Sequence, residues 1–205
     1  MMQYVFPYWG PLVMLGQIEN PFIDLLLKKG NVSRKKNLDN RSKLAGMIDN
    51  EYYYKDYQSW FIPQFTPYMN LYNEVLQSTW KPDQESSPWV WTLSNLWINY
   101  QKANDYNPPH DHTGALSFVI YLQVPDEIKK EYKRMVGVHN NSGPGAINFN
   151  YGVRLPFSIN TYQKFPEVGD LYIFPAWLTH FVHAFKSDVE RISVSGNIEL
   201  KDDKI

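Results

Sequence analysis

Beyond Pro88 the chain is written in short aromatic and β-branched runs cut apart by Pro, Gly, Asn and Asp, a texture that leaves room for little except a sheet of many short strands. Candidate strands are residues 93–100, 116–124, 145–151, 170–174, 181–185 and 190–199. Residues 123–132 and 139–145 read as links, the second (His-Asn-Asn-Ser-Gly-Pro-Gly) as a turn. Before Pro88 the pattern is helical. Asn20-Pro21 followed by an apolar run and Gly30 predicts a helix with Asn20 as its cap and Gly30 past its end. A second helix is predicted over 65–80, where Phe65, Met69, Tyr72, Val75 and Leu76 fall at helical spacing. Helices first and strands afterwards predict one α+β domain over residues 1–205: a helical buttress and lead-in (1–88), then a double-sheet β core (89–200).

A compact chain of 205 residues buries roughly 70% of its unfolded surface, enough for a core without covalent staples. It contains no cysteine, which removes disulfides, thiolate metal sites and cysteine nucleophiles and leaves histidine and carboxylate as metal ligands. A net charge of −1 gives no long-range field for nucleic acid or an anionic membrane, so neither partner is expected. The basic run from Lys28 to Lys43 reads as a solvated helix end and loop. The N-terminal apolar residues are interrupted by Pro7, Gly10, Pro11 and Gly16 and carry no basic leader, so the expectation is a cytoplasmic protein, in a host cytoplasm if phage-encoded. The high aromatic share, 16%, suits a small barrel filled by broad side chains with polar tips.

Three of the five histidines stand where such a barrel can gather them. Residues two apart on a strand share a face, so His110 and His112 present their rings together while Asp111 points away. His180, following the run Gly169-Asp170-Leu171-Tyr172-Ile173-Phe174-Pro175, completes a facial set. Three protein ligands leave positions open for substrate and dioxygen, as non-haem iron(II) chemistry requires, though imidazole also serves zinc, copper and nickel. Asp111 becomes the alternative third ligand if a bulge turns the chain. On the next strand Arg191 and Ser193 share a face and form a clamp for a carboxylate, the plain alternative being a salt bridge from Arg191 to Glu190 or Asp188. His183 reads as a barrel-edge residue and His139 as part of a turn.

The order His110-Asp111-His112, Ser117-Phe118-Val119-Ile120-Tyr121-Leu122, Gly169 to Pro175, His180 and Arg191-Ile192-Ser193 resembles the 2-oxoglutarate and iron(II)-dependent oxygenases, especially phage-type members close to the prolyl hydroxylases. The resemblance spans roughly residues 95–198. It implies a double-stranded β-helix, a jelly-roll relative of the cupins. It also implies Fe(II) held by His110, His112 and His180, with His112 standing where the family has Asp or Glu and the site one negative charge poorer. It implies 2-oxoglutarate chelating the metal, its far carboxylate held by Arg191, Ser193 and the hydroxyl of Tyr121. Tyr100 and Tyr106 are weaker candidates for that cofactor, and Trp97, Trp177 and Phe181 for the cavity wall. The implied reaction hydroxylates a substrate, a peptidyl side chain such as proline, with dioxygen, while 2-oxoglutarate is decarboxylated to succinate.

Two other readings compete. A three-histidine cupin would use no 2-oxoglutarate, but Gly114-Ala115-Leu116-Ser117 lacks the cupin glutamate and a cupin needs no Arg191-x-Ser193 clamp. A non-catalytic jelly roll with a structural role predicts neither turnover nor cofactor binding. Substrate choice is expected in loops at the barrel mouth, within residues 128–160.

Overall fold

The computed structural model describes residues 10–80, 90–136 and 143–201. In chain order its elements are β1 (Met14–Gln17), α1 (Asn20–Lys35), β2 (Glu51–Tyr53), α2 (Ile62–Val75), β3 (Val90–Gln101), β4 (Asn107–His110), β5 (Leu116–Gln123), α3 (Asp126–Met135), β6 (Ile147–Asn150), β7 (Thr161–Lys164), β8 (Asp170–Pro175), β9 (Thr179–Val182) and β10 (Arg191–Lys201). Every strand pairing is antiparallel. The strands form a six-stranded sheet ordered β1-β8-β5-β10-β3-β2 and a four-stranded sheet ordered β4-β9-β6-β7. This is the jelly-roll architecture; five of the six expected strands are present over most of their length, and the one expected over 181–185 lies earlier, at Thr179–Val182, which puts His180 inside it.

The longest apolar runs take the centre of the larger sheet because they are covered on both sides. β5 is buried at every position from Leu116 to Leu122. One face of the sheet carries Ile98, Phe118, Ile120, Ile173 and Val194 into a core with α1 and α2, where Phe118 stacks on Phe61 and Phe65. The opposite face turns Val119, Tyr121, Tyr172 and Phe174 toward Ile147, Phe149 and Val182 of the smaller sheet. Period-two alternation thus sorts each central strand between a helix-facing core and an intersheet space.

Three expectations need correction. The first helix does not stop at Gly30 but runs to Lys35, and Glu19 rather than Asn20 occupies the cap position. Gly30 is a close-approach residue: a Cβ there would strike Ile98 and come within 3.0 Å of the Tyr54 hydroxyl and 3.2 Å of the Tyr100 hydroxyl. Residues 123–132, read as a link, instead lead into and form most of α3 (Asp126–Met135), with Asp126 and Glu127 in its first turn and Lys133 and Arg134 in its last, matching the helix dipole. Its Glu131 carboxylate accepts from the backbone N–H groups of Lys186 and Ser187 and from the Ser187 hydroxyl, which ties the helix to the chain before β10. The predicted second helix begins at Ile62, and residues 76–80 continue it as a π-helical turn. The junction at Pro88 and the turn at His139 lie outside the described residues. Among the described residues no helix is long and apolar enough to cross a membrane.

Candidate metal centre

β4 and β9 are neighbours, and their register sets His110 directly opposite His180. β4 reads Asn-Pro-Pro-His; prolines cannot donate to a ladder, which confines such a strand to a sheet edge. His112 reaches the same point by another route than the one expected. The strand ends at His110, and His112 belongs to the following turn, where its backbone N–H donates to the Ala176 carbonyl at 2.9 Å. The ring centroids of His110, His112 and His180 are 4.9, 4.3 and 5.0 Å apart in pairs, and one nitrogen from each lies within 4.8 Å of the others.

Backbone carbonyls decide which nitrogens face inward. Nδ1 of His110 lies 2.7 Å from the Pro108 carbonyl, and Nδ1 of His180 lies 2.9 Å from that of Leu178. A carbonyl only accepts, so Nδ1 carries the hydrogen in both rings and Nε2 keeps its lone pair. Burial, with the other histidines adjacent, lowers His180 to about 3, and burial lowers His112 to about 4, so both stay neutral at physiological pH. Neutral imidazoles with fixed tautomers are the form a divalent metal takes up. Asp111 is exposed and outside the cluster.

The three rings open into a cavity between the sheets that is also lined by Tyr121, Arg191 and Ser193. Arg191 is 3% exposed, and no carboxylate pairs with it among the described residues. One guanidinium nitrogen donates to the Gly145 carbonyl at 2.7 Å, another to Gln101 Oε1, and Nε has no partner. The salt bridge weighed in the sequence is not made: Glu190 binds Arg34 through two contacts of 2.9 Å. Burial pulls the Arg191 pKa below its ordinary value, and the Tyr121 ring lies 5.2 Å from its Cζ. The buried Tyr121 hydroxyl, raised to about 12 by burial, is likewise unpartnered. A buried cation and an orphaned hydroxyl side by side leave an anion-shaped deficit, since each is costly in a low-dielectric interior without an acceptor. The residues fit a carboxylate at this end and a metal at the other.

Of the weaker candidates, Trp97 lines the cavity and meets His112 at a ring distance of 6.1 Å. Tyr100 does not: it faces the helices, donates to Asn31 Oδ1 at 3.1 Å and lies under Arg34. Tyr106 and Trp177 are exposed, and Phe181 packs on His183 on the other face of β9. The sequence reading missed Glu51 and Asn99, buried polar residues on this cavity wall. Nothing short of the β2–β3 pairing could have put a residue from position 51 beside one from position 99.

No curated protein matches the chain in sequence. Among solved structures, a prolyl-4-hydroxylase of Pseudomonas putida is similar at 13% identity with a TM-score of 0.57, covering 93% of this chain and 92% of that one. A viral collagen prolyl hydroxylase of Paramecium bursaria Chlorella virus-1, solved with 2OG, is similar at 14% identity with a TM-score of 0.54 over 91% and 94% of the two chains. A Trichoplax adhaerens prolyl hydroxylase, in complex with a hypoxia inducible factor oxygen degradation domain peptide fragment, is similar at 10% identity with a TM-score of 0.54 over 95% and 84%. These likenesses carry the fold. The family model described as "Putative 2OG-Fe(II) oxygenase" matches residues 95–197, half of the chain, which brackets all three histidines and Arg191. The chain belongs to the 2OG-Fe(II) oxygenase family.

Proposed function

We propose that this protein is an Fe(II)- and 2-oxoglutarate-dependent dioxygenase in which His110, His112 and His180 hold the iron and Arg191, Ser193 and Tyr121 hold the far carboxylate of 2-oxoglutarate. The observation that carries this reading is the placement of a buried, carboxylate-free guanidinium in the same cavity as three convergent imidazoles. When bound, iron with 2-oxoglutarate and dioxygen supplies the oxidant for C–H hydroxylation, coupled to formation of succinate and carbon dioxide. The protein's own share is positional. The Pro108 and Leu178 carbonyls fix two rings in the ligating tautomer, Arg191 and Tyr121 orient the cosubstrate, and the two sheets keep bulk water out.

Three imidazoles in place of two and a carboxylate would leave a bound divalent metal with its full double positive charge, so His110, His112 and His180 would favour an anionic cosubstrate beside it. The acidic clamp partner lacking at Arg191 separates this reading from a three-histidine cupin and from a jelly roll that only supports other structures. The substrate is proposed to be a peptidyl side chain, the class on which the neighbouring prolyl hydroxylases act. The whole chain is proposed to work as one domain, because β1 and β10, from opposite ends of the chain, lie in the same sheet.

The test is anaerobic addition of iron(II) and then 2-oxoglutarate, followed by oxygen. A weak visible charge-transfer band is expected before oxygen and succinate after it. No band, with the protein shown to be folded, overturns the reading.

A further inference from the structure

Six buried side-chain polar atoms lack a partner among the described residues: Glu51 Oε2, Trp60 Nε1, Asn99 Oδ1, Tyr121 Oη, Asn148 Oδ1 and Arg191 Nε. Four of these six belong to residues lining the one cavity, and they divide by kind. Tyr121 and Arg191 offer donors; Glu51 and Asn99 offer acceptors. The register shows how they are spaced. Glu51 of β2 is opposite Asn99 of β3, which is opposite Ser193 of β10, which is opposite Tyr121 of β5. One row across the sheet floor therefore runs from an acceptor end to a donor end, with Glu51 and Ser193 two strand spacings apart, roughly 10 Å.

The donor end matches an anion and is taken by the cosubstrate in the function proposed above. The acceptor end has no counterpart in that scheme. Glu51 is 2% exposed. Asn99 spends its Nδ2 on Ser193 at 3.4 Å, so its Oδ1 is what remains for a ligand. Arg41, the cation nearest in influence to Glu51, is bound to Asp39 through two hydrogen bonds of 3.0 and 2.9 Å. A buried carboxylate without a donor is costly unless it is neutralised or a ligand supplies the missing charge. The wall is also built close. A Cβ on Gly46 would strike Asn107 Oδ1 and stand 3.0 Å from Glu51 Oε1, so the 44–46 loop lies flush against this end. Met47, one residue on, donates its N–H to the Tyr106 carbonyl at 2.9 Å, bracing the loop beside β4.

We infer that Glu51 and Asn99 form the substrate-recognition end of the cavity and receive a protonated nitrogen, an ammonium or guanidinium group, from the side chain that is oxidised. This rests on the oxygenase reading and sharpens it: for a peptidyl substrate it selects a lysyl or arginyl side chain over a prolyl ring, which brings neither charge nor N–H. Asn99 fixes orientation beside the charge, and Glu51 is a specificity-determining residue with no part in holding iron or 2-oxoglutarate.

The probes are N-acetyl-arginine amide and N-acetyl-lysine amide, with the citrulline and proline amides as uncharged controls. Each is titrated calorimetrically into metal-free protein and into anaerobic iron(II)/2-oxoglutarate protein, native and Glu51→Gln. Native protein is expected to bind one of the charged amides at least about tenfold more tightly than either control, and Glu51→Gln to lose about 10- to 100-fold of that affinity, the size of a charged hydrogen bond. Glu51→Asp, one methylene shorter with the charge kept, is expected to retain more of it than Glu51→Gln. The charge-transfer band is read in the same samples and stays unchanged in Glu51→Gln. A missing band in native protein would strike the oxygenase reading. A normal band with no charged amide bound, with citrulline bound equally well, or with Glu51→Gln unaltered in affinity would overturn the recognition site alone.

Discussion

The Nε2 atoms of His112 and His180 lie 3.2 Å apart, nitrogen facing nitrogen. His180 has its hydrogen on the other side, at Leu178, so its inward atom is a lone pair. His112 then either donates its own Nε2 hydrogen to that lone pair or, with the hydrogen on Nδ1, turns a second lone pair toward it, the arrangement that a shared cation would hold. If each nitrogen sits about 2.1 Å from a common metal, 3.2 Å corresponds to an angle of about 100° at that metal, within reach of neighbouring ligand positions.

Removing a ligand therefore removes the metal. His180→Ala and His112→Ala are expected to weaken iron(II) or zinc(II) binding by more than the ~100-fold that loss of a ligand's supporting hydrogen bond costs. Asp111→Ala, which touches an exposed carboxylate, is expected to leave it unchanged. Competition titration against a chelating dye checks all three, and a strong effect of Asp111→Ala would reassign the third ligand.

Arg191 is expected to govern the cosubstrate and not the metal. Arg191→Ala should raise the 2-oxoglutarate concentration needed for the charge-transfer band by about 30- to 1000-fold, as for loss of one partner of a buried charge pair. Iron affinity without cosubstrate should stay as in the native chain. The same split has a thermal signature: iron alone should raise the Tm of both proteins, and adding 2-oxoglutarate at a concentration that saturates the native site should raise it further in the native protein and much less in Arg191→Ala.

Glu51 gives a pH dependence with a definite sign. Burial, reinforced by Asp105 and Asp39, raises its carboxyl to about 7 from an ordinary 4.5. Between those values the folded protein keeps a proton that the unfolded chain has released. Its contribution is therefore complete below the unfolded pKa and is lost as pH rises through the folded one. Relative to Glu51→Gln, which has no such titration, the native protein should lose on the order of 1–3 kcal/mol between about pH 5 and about pH 8. Urea unfolding of the two proteins at both pH values measures this, and parallel pH profiles would contradict it.

Gly30→Ala should destabilise by about 1–3 kcal/mol, although the same change in an exposed helix interior usually stabilises. The added methyl would meet Ile98 and the hydroxyls of Tyr54 and Tyr100, where α1 packs on the large sheet. An increase in Tm would show that α1 has room to move.

The legible parts of this fold were those with a strong local pattern. β3, β5, β8 and β10 are long apolar runs bounded by turn residues, and α1 has its proline at the start. β1, β2, β4 and β7 were not legible, being three or four residues each and stable only through a neighbour: Met14–Gln17 through β8, Thr161–Lys164 through β6. α3 escaped because just Ile128 and Glu131 are buried in it, so apolar periodicity is faint while its terminal charges carry the signal. Gly30 looked like a helix end because a sequence does not reveal the sheet waiting against it. At the site, His110, His112, His180, Arg191 and Ser193, singled out by their spacing together with the family resemblance, line one cavity. Glu51 and Asn99 were not singled out, since their chemistry lies in having no partner, a property of three dimensions.

A crystal of the native protein treated anaerobically with iron(II) and 2-oxoglutarate, with anomalous scattering recorded at the iron edge, tests the central claim most directly. One anomalous peak is expected about 2.1 Å from one nitrogen each of His110, His112 and His180, with the far carboxylate of the cosubstrate on Arg191 and the Tyr121 hydroxyl. A peak bound by Asp111, or a cosubstrate carboxylate lying away from Arg191, would contradict it.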